Sequence, residues 1–534
     1  MVVRRLGIAG EAGALGARRY TRREVLGMIA ATAVVGCGGS SSSRQRIEEI
    51  PIPELSGPPF TLGIASGDPL DDGVILWTRL APDPLAGGGM PAELAPVTWE
   101  VAADRFFTRI LRTGVFVARP ELGHSVHVDV EGLAPDTWYW YRFRIGEFES
   151  AIGRARTLPL PGSAPERLRF AAASCQNWQD GFYTAYPHLA EEDVDFVFFL
   201  GDYIYEYGSE GPVRFHGTPE VQTLEDYRNR YALYKSDTGL QAAHAAFPWV
   251  VTWDDHEVDN NYAGTHSEDP DVTEEALLAR RAAAYQAYYE HMPLRLPAPT
   301  GADYRIYRSF TWGDLASFFV LDTRQYRDDQ PCNDEVQIGE VCPEGVDYPG
   351  TMMGDEQEAW LFDGLRASAA LWNVVAQQVV FSDIPIGELG INPDQWQGYP
   401  QARRRVHDFV AQSGIENFIV LSGDIHTSGA ANLFTVPGDP ASGVIGAELI
   451  ATTQTSILTE DPFVGGLISS FVEGEPGVEF FNASNAGYFR VDVTRDAWRV
   501  DFRLTDTRLV PVSDLSTRAS VEITAGVPGV KRTA

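Results

Sequence analysis

The 534-residue chain contains only four cysteines. So few exclude a fold stapled by a disulfide framework and leave stability to a hydrophobic core. Positive charge is scarce too: 42 Lys and Arg stand against 74 Asp and Glu, for a formal net charge of -32. General nucleic-acid and anionic-membrane surfaces need fields of Lys and Arg, so both are excluded. No internal repeat and no long low-complexity segment occurs. What remains is an acidic chain, 44% hydrophobic and 11% aromatic, long enough for two or more domains. Such a surface suits sites that collect cations. An anionic substrate would then need metals or a few arginines to meet it.

The first residues read as a signal. Arg22-Arg23 precede an apolar stretch, Val25 to Val35, that is too short to span a bilayer with ease. Thr21 to Leu26 resembles a twin-arginine export signal. Val34-Val35-Gly36-Cys37 resembles a bacterial lipobox, in which Cys37 is lipidated after cleavage. Residues 1–36 carry six Arg and two Glu, so their removal takes the net charge from -32 to -36. The expectation is a protein exported to the periplasm or cell surface and anchored to the membrane through Cys37. Residues 37–57 then form a linker that opens with a flexible tether, Gly38 to Ser43. Cys332 and Cys342 lie ten apart in a polar stretch, which in an exported protein reads as a loop-closing disulfide. Cys175 is left over, at the end of an apolar run.

Residues 58–160 form a block of short alternating segments, among them Val74–Trp77, Val97–Val101, Val126–Val130 and Trp138–Phe143, separated by turn signals. This spacing predicts an all-β sandwich of the immunoglobulin or fibronectin type III kind. Leu133 to Tyr139 resembles the tyrosine corner of that fold. His124 and His127 are expected to face solvent or a sheet neighbour. The Pro-rich stretch Leu158 to Pro165 marks a boundary. Beyond it, over 165–510, strands alternate with helical stretches, the α/β signature. Leu224–Leu240, Thr273–His291 and Asp355–Ala370 read as helices. Residues 511–534 are expected to be a C-terminal tail.

Five apolar runs in the second block end abruptly in polar residues. Leu168–Ala173 ends at Ser174-Cys175-Gln176, and Phe196–Leu200 at Gly201-Asp202. Pro248–Trp253 ends at Asp254-Asp255-His256-Glu257, Ser317–Leu321 at Asp322-Thr323-Arg324, and Phe418–Leu421 at Ser422-Gly423-Asp424-Ile425-His426. Short continuous apolar runs predict strands buried on both faces. Open α/β sheets bind ligands at the carboxyl ends of such strands. The donors gathered there are Cys175, Asp202, Tyr205, Asp255, His256, Asn261, Asp424 and His426. Oxygen donors suit hard cations, while thiolate and imidazole suit transition metals. A single carboxylate, Asp202, has two oxygens and can bridge two ions.

In order and in length these motifs resemble those of the PhoD-type alkaline phosphatases and phosphodiesterases, within the calcineurin-like metallophosphoesterase superfamily. The resemblance runs from about Phe60 to Arg503. It rests on Ser174-Cys175-Gln176, on Gly201 to Glu206, on Trp253 to Glu257, on Leu321 to Arg327 and on Ser422 to His426. Ser-Cys-Gln stands where the wider superfamily has an early Asp-x-His pair. The resemblance implies a four-layer αββα fold, one ferric ion and one or two calcium ions. It implies that Cys175, Asp202, Tyr205 and Asp424 hold the iron. Asp202, with Asp255 or Asn261 and with His426, would hold calcium. It also places His256 where a histidine contacts the phosphate or protonates the leaving oxygen, and Arg324 where it could pin a phosphate.

The activity so implied is hydrolysis of phosphate mono- or diesters by direct attack of metal-bound hydroxide, with no covalent phosphoenzyme. The enzyme is expected to be a monomer. Two alternatives stand beside it. One is a phospholipase D-like phosphodiesterase with the same metal site. The other is a surface-anchored binding protein that has lost catalysis.

Overall fold

The central strand, Phe196–Leu200, is buried along its whole length. It lies between two parallel neighbours, Arg167–Ala173 and Pro248–Thr252. Side chains alternate across a strand, so the run has two destinations. Phe196, Phe198 and Leu200 join a core that includes Phe318, Val374 and Leu421 of a second sheet. Val197 and Phe199 join a core with Tyr186, Tyr231, Leu240 and Tyr285 from the helices behind. The computed structural model from which these contacts come describes residues 50–208, 211–337, 341–382 and 392–534. The expected signal over 1–36, Cys37 and the tether lie outside the described residues.

The second sheet is built the same way. Its order is Arg308–Trp312, Ala316–Val320, Trp372–Ala376, Phe418–Ser422, Val444–Ile450, Ser428–Phe434 and Val478–Asn482. Phe319, Val375 and Val420 turn away from the first sheet. They pack on Leu361 and Leu365 of the Gly354–Ala367 helix and on Val406 and Val410 of the Pro400–Ser413 helix. The layers are therefore helix, sheet, sheet, helix, a mixed α/β architecture. Aromatic rings fill the space between the sheets: Phe170 stacks on Phe196 at 5.3 Å, and Phe198 meets Phe318 at 5.4 Å. Removing one such ring costs about 3–5 kcal/mol.

The first sheet has ten strands, and its far end belongs to the N-terminal block. Ile64–Gly67 pairs in parallel with Pro248–Thr252, with Ser66 opposite Pro248 and Gly67 opposite Trp249. Gly73–Arg79 and Ser125–Glu131 follow it in the sheet. A separate sheet, formed by Ile110–Ala118, Ala95–Ala102, Trp138–Ile145, Phe148–Glu149 and Gly153–Arg156, packs on these strands. Val97, Tyr141 and Phe143 meet Val74, Leu76 and Val128 in that core. The N-terminal block thus has two β layers, one of which continues the larger sheet. The Tyr139 hydroxyl accepts from the Ala134 N–H at 2.8 Å and donates to the Ala134 carbonyl at 3.1 Å. His127 is not a solvent-facing residue. It stacks on Tyr289 at 4.2 Å and bonds the Tyr289 and Met292 carbonyls, tying this block to the Glu274–His291 helix.

Two boundaries differ from the sequence reading. The helix expected over Leu224–Leu240 is two, Leu224–Lys235 and Thr238–Ala246. Asp237 divides them because its carboxylate caps the N–H groups of Gly239 and Leu240. The expected tail over 511–534 contains the strand Leu515–Thr524, paired along Ala497–Thr505. Its inward residues, Ala519, Val521 and Ile523, alternate with polar ones and cover the inter-sheet core.

Candidate metal centre

The carboxyl ends of both parallel strand sets meet at one edge of the two sheets, and short hydrogen bonds lace them together. The Ser174 N–H donates to the Thr452 carbonyl at 3.2 Å, and the Cys175 N–H to that of Gly201 at 3.1 Å. Gln378 Nε2 donates to the Thr252 hydroxyl at 2.7 Å, joining the second sheet to the first. The chain must turn hard at these ends. Five candidate ligands have left-handed backbones: Cys175 (φ 53°), Asp202 (59°), Asn261 (50°), Asp424 (69°) and His426 (58°). Each such residue costs of order 1–3 kcal/mol and persists only where its surroundings over-determine it. Gly201 makes the approach possible at φ 98°, since a Cβ there would lie 2.4 Å from that of Asp254.

Three overlapping groups of donors result, each with its ligand atoms within 4.8 Å of one another. They are Cys175, Asp202 and His426; Asp202, Asp255 and His256; and Asp202, Asp254, Asp255 and Asp424. Asp202 belongs to all three. The Tyr205 hydroxyl donates to Asp202 Oδ2 at 2.9 Å and lies 3.0 Å from His426 Nε2. Asp202 Oδ1, Asp254 Oδ2 and Asp255 Oδ1 are buried with no hydrogen-bond partner. Leaving such oxygens without a counter-charge costs several kcal/mol. Burial pushes the Asp202 and Asp254 carboxyls well above their ordinary range and Asp424 up to about 6. It also raises the Cys175 thiol and the Tyr205 phenol, with nearby Asp202 adding to both. A bound cation would offset that burial and favour the ionised form of each. Orphaned carboxylate oxygens, a buried thiol and a phenol around one shared aspartate fit a site for more than one metal ion.

A ring of residues holds this cluster in place. The Glu257 carboxylate accepts from the N–H groups of Asp202 (3.1 Å), Tyr203 (2.5 Å) and Asp254 (2.7 Å), which fixes two strand ends against each other. Burial pushes its carboxyl up to about 8, against the pull of those donors. His256 Nδ1 bonds Glu206 at 2.8 Å, and its ring lies 4.1 Å from that of Tyr205. Burial opposes its charged form, but Glu206, Asp255 and Asp202 outweigh it and hold the imidazole well above its ordinary pKa. Burial lowers His426 to about 4, with His256 adding to the shift. Asp255 is held well below the carboxylate range: burial works against its charge, but Arg324 and His256 prevail.

Cys175, Asp202, Tyr205, Asp255, His256, Asp424 and His426 all come to one place. Among them, His426 groups with Cys175 and Asp202, and Asp424 with Asp202, Asp254 and Asp255. Asn261 sits at the rim, its N–H donating to Asp255 Oδ2 at 2.7 Å. Arg324 is a correction: it does not face a substrate. Its side chain is 0% exposed and is committed to Asp254 through Nε and to Asp394 through both other nitrogens, at 2.5 and 2.8 Å. It lies among the carboxylates as their counter-ion. Cys332 and Cys342 form the disulfide. The sequence reading missed Asp254, Glu257 and Asp394. The doubled aspartate and the glutamate three residues on were visible in Asp254-Asp255-His256-Glu257. No local pattern marked Asp394.

Comparison with known proteins gives one answer. The sequence profile of the PhoD-like phosphatase family matches residues 170–502, and that of the family's N-terminal domain matches residues 46–159. Alkaline phosphatase D of Bacillus subtilis (strain 168) is 49% identical over 487 residues, covering 88% of this chain and 81% of that protein. A solved structure described as "Structure of PhoD" superposes with a TM-score of 0.86 at 48% identity, covering 90% of this chain and 93% of the other.

Proposed function

The chain belongs to the PhoD-like phosphatase family and is an enzyme of the alkaline phosphatase D kind, and from that premise we propose a metal-dependent hydrolase of phosphate mono- or diesters. The observation that carries the reading is Asp202, a buried carboxylate shared by three donor groups and left with an unpartnered oxygen. We assign Cys175, Asp202, Tyr205 and Asp424 to a ferric ion. Asp202, with Asp255 or the Asn261 side-chain oxygen and with His426, is assigned to one or two calcium ions. When bound, these ions supply the charge that ionises a water and offsets the phosphoryl oxygens.

The chain's own residues do the rest. Glu257 and Arg324 keep the carboxylates in place, and the second also offsets part of their charge. Glu206 accepts from His256 Nδ1, leaving Nε2 as the proton-bearing atom for a leaving alkoxide. No Ser or Thr nucleophile enters the scheme. The β layers of residues 58–160 are read as a fibronectin III-like module ahead of a catalytic domain over 165–510, a reading supported by the Tyr139 corner. The expected export signal and the lipid anchor at Cys37 remain part of the proposal; among the described residues no helix is long and apolar enough to cross a membrane.

Turnover of a phosphomonoester and of a bis-ester by one preparation, before and after chelation, tests the proposal. Loss of both activities on chelation and their return with metal are expected. Undiminished hydrolysis by the chelated protein would end it. A bis-ester preference would favour the phosphodiesterase form of the reading.

A further inference from the structure

Beside Asn261 runs a strap that starts at Asp328 and is closed by the Cys332–Cys342 disulfide. Its base is pinned: the Tyr399 hydroxyl donates to the Asp328 carbonyl at 2.7 Å, and that of Tyr348 to the Asp329 carbonyl at 2.7 Å. Gln330 Nε2 then reaches the backbone carbonyl of Asn261 at 2.6 Å and Asp394 at 3.1 Å. Cys332, Asn333 and Asp334 follow with φ of 66°, 54° and 58°. Three successive non-glycine residues in the left-handed region are costly and need an external constraint. The disulfide at the first of them supplies one.

This turn delivers the Asp334 carboxylate to the Asn261 side chain. Asn261 Nδ2 donates to Asp334 Oδ2 at 2.9 Å and to Glu268 Oε2 at 3.3 Å. Asp334 Oδ2 and Glu268 Oε2 both accept from this one prong, which marks it as the nitrogen. The oxygen prong is what is left, and among the described residues no protein group donates to it. Meanwhile the Asn261 N–H is bonded to Asp255 of the carboxylate cluster.

We propose that Asp334, presented by the disulfide-closed strap, is a positioning residue that locks the Asn261 amide with Oδ1 free to serve a cation beside Asp255. This rests on the reading of the site as a cation site. Residues that orient a metal ligand from behind typically change metal affinity 10–100-fold when removed.

The test is Ca2+ binding by calorimetry to metal-stripped full-length protein, with thermal melts to confirm folding. Asp334→Leu should weaken Ca2+ binding about tenfold. Asp334→Asn, whose own carbonyl can still accept, should stay within about threefold of wild type. The double variant Asn261→Ala, Asp334→Leu should bind no more weakly than Asn261→Ala alone, because both act on one ligand. The Cys332→Ser, Cys342→Ser pair should shift affinity in the same direction as Asp334→Leu. Asp334→Ala repeats the measurement should leucine disturb the strap. Unchanged affinity in Asp334→Leu or Asn261→Ala, or additive losses in the double variant, would overturn the inference. Failure of wild type to bind Ca2+ would overturn both it and the calcium assignment, which separates the two failures.

Discussion

Replacing Glu257 by Gln should loosen the centre without touching a ligand. One Glu257 oxygen accepts from Tyr203 N–H at 2.5 Å, and the other from Asp202 and Asp254 N–H at 3.1 and 2.7 Å. A glutamine has one accepting oxygen, and its NH2 must replace one of these positions. In the better orientation the Tyr203 N–H is orphaned, at about 1–3 kcal/mol. Above about pH 8, where the Glu257 carboxyl is ionised, the two remaining bonds also lose their charge assistance, about 1 kcal/mol each. The sum there is about 3–5 kcal/mol, spread over the strand ends that carry Asp202 and Asp254. Urea unfolding of metal-stripped protein at about pH 9 should read that loss directly. Metal-loaded protein should also lose ions faster on dialysis against chelator. Stability within about 1 kcal/mol of wild type, with metal retention unchanged, would refute the claim that Glu257 braces the site.

Two further outcomes follow from the geometry. His256→Gln should slow esters of poorly leaving alcohols by about 10²–10⁴-fold while sparing those with acidic phenol leaving groups; an equal loss on both kinds would remove the proton-donor role. Lys235 is buried under the rings of Trp77 (4.4 Å) and Tyr203 (5.1 Å), and burial lowers its pKa to about 7. The unfolded chain therefore binds the extra proton between about pH 7 and 10.5, so this residue makes stability rise with pH over that window, by up to about 5 kcal/mol before the rings' favourable contact is counted. Lys235→Met should flatten that rise in urea titrations at pH 7 and 10; an unaltered slope would contradict it.

Much of the site was legible because strand ends are punctuated. An apolar run followed by Gly-Asp, or by Asp-Asp-His-Glu, gives both the strand and the residues at its carboxyl edge. Period-2 burial then assigns Phe196 and Phe198 to one face and Val197 and Phe199 to the other. What the sequence hides is three-dimensional pairing. Asp394 follows no strand, yet it takes two nitrogens of Arg324, and that contact turns the arginine from a substrate clamp into a buried counter-ion. The grouping of His426 with Cys175 and of Asp424 with Asp254 is equally silent, since both residues sit past the end of their strand in left-handed turns, where strand alternation no longer sets a side chain's direction. The union of the N-terminal block with the larger sheet depends on the pairing of Gly67 with Trp249, nearly two hundred residues apart in the chain.

The central claim, a mixed iron and calcium centre built on Asp202, is tested most directly by metal content together with a visible spectrum of protein exported with its own signal. The account predicts iron and calcium in the folded protein and a visible tyrosinate-to-iron band that Tyr205→Phe abolishes. A colourless, iron-free protein with full activity would contradict it.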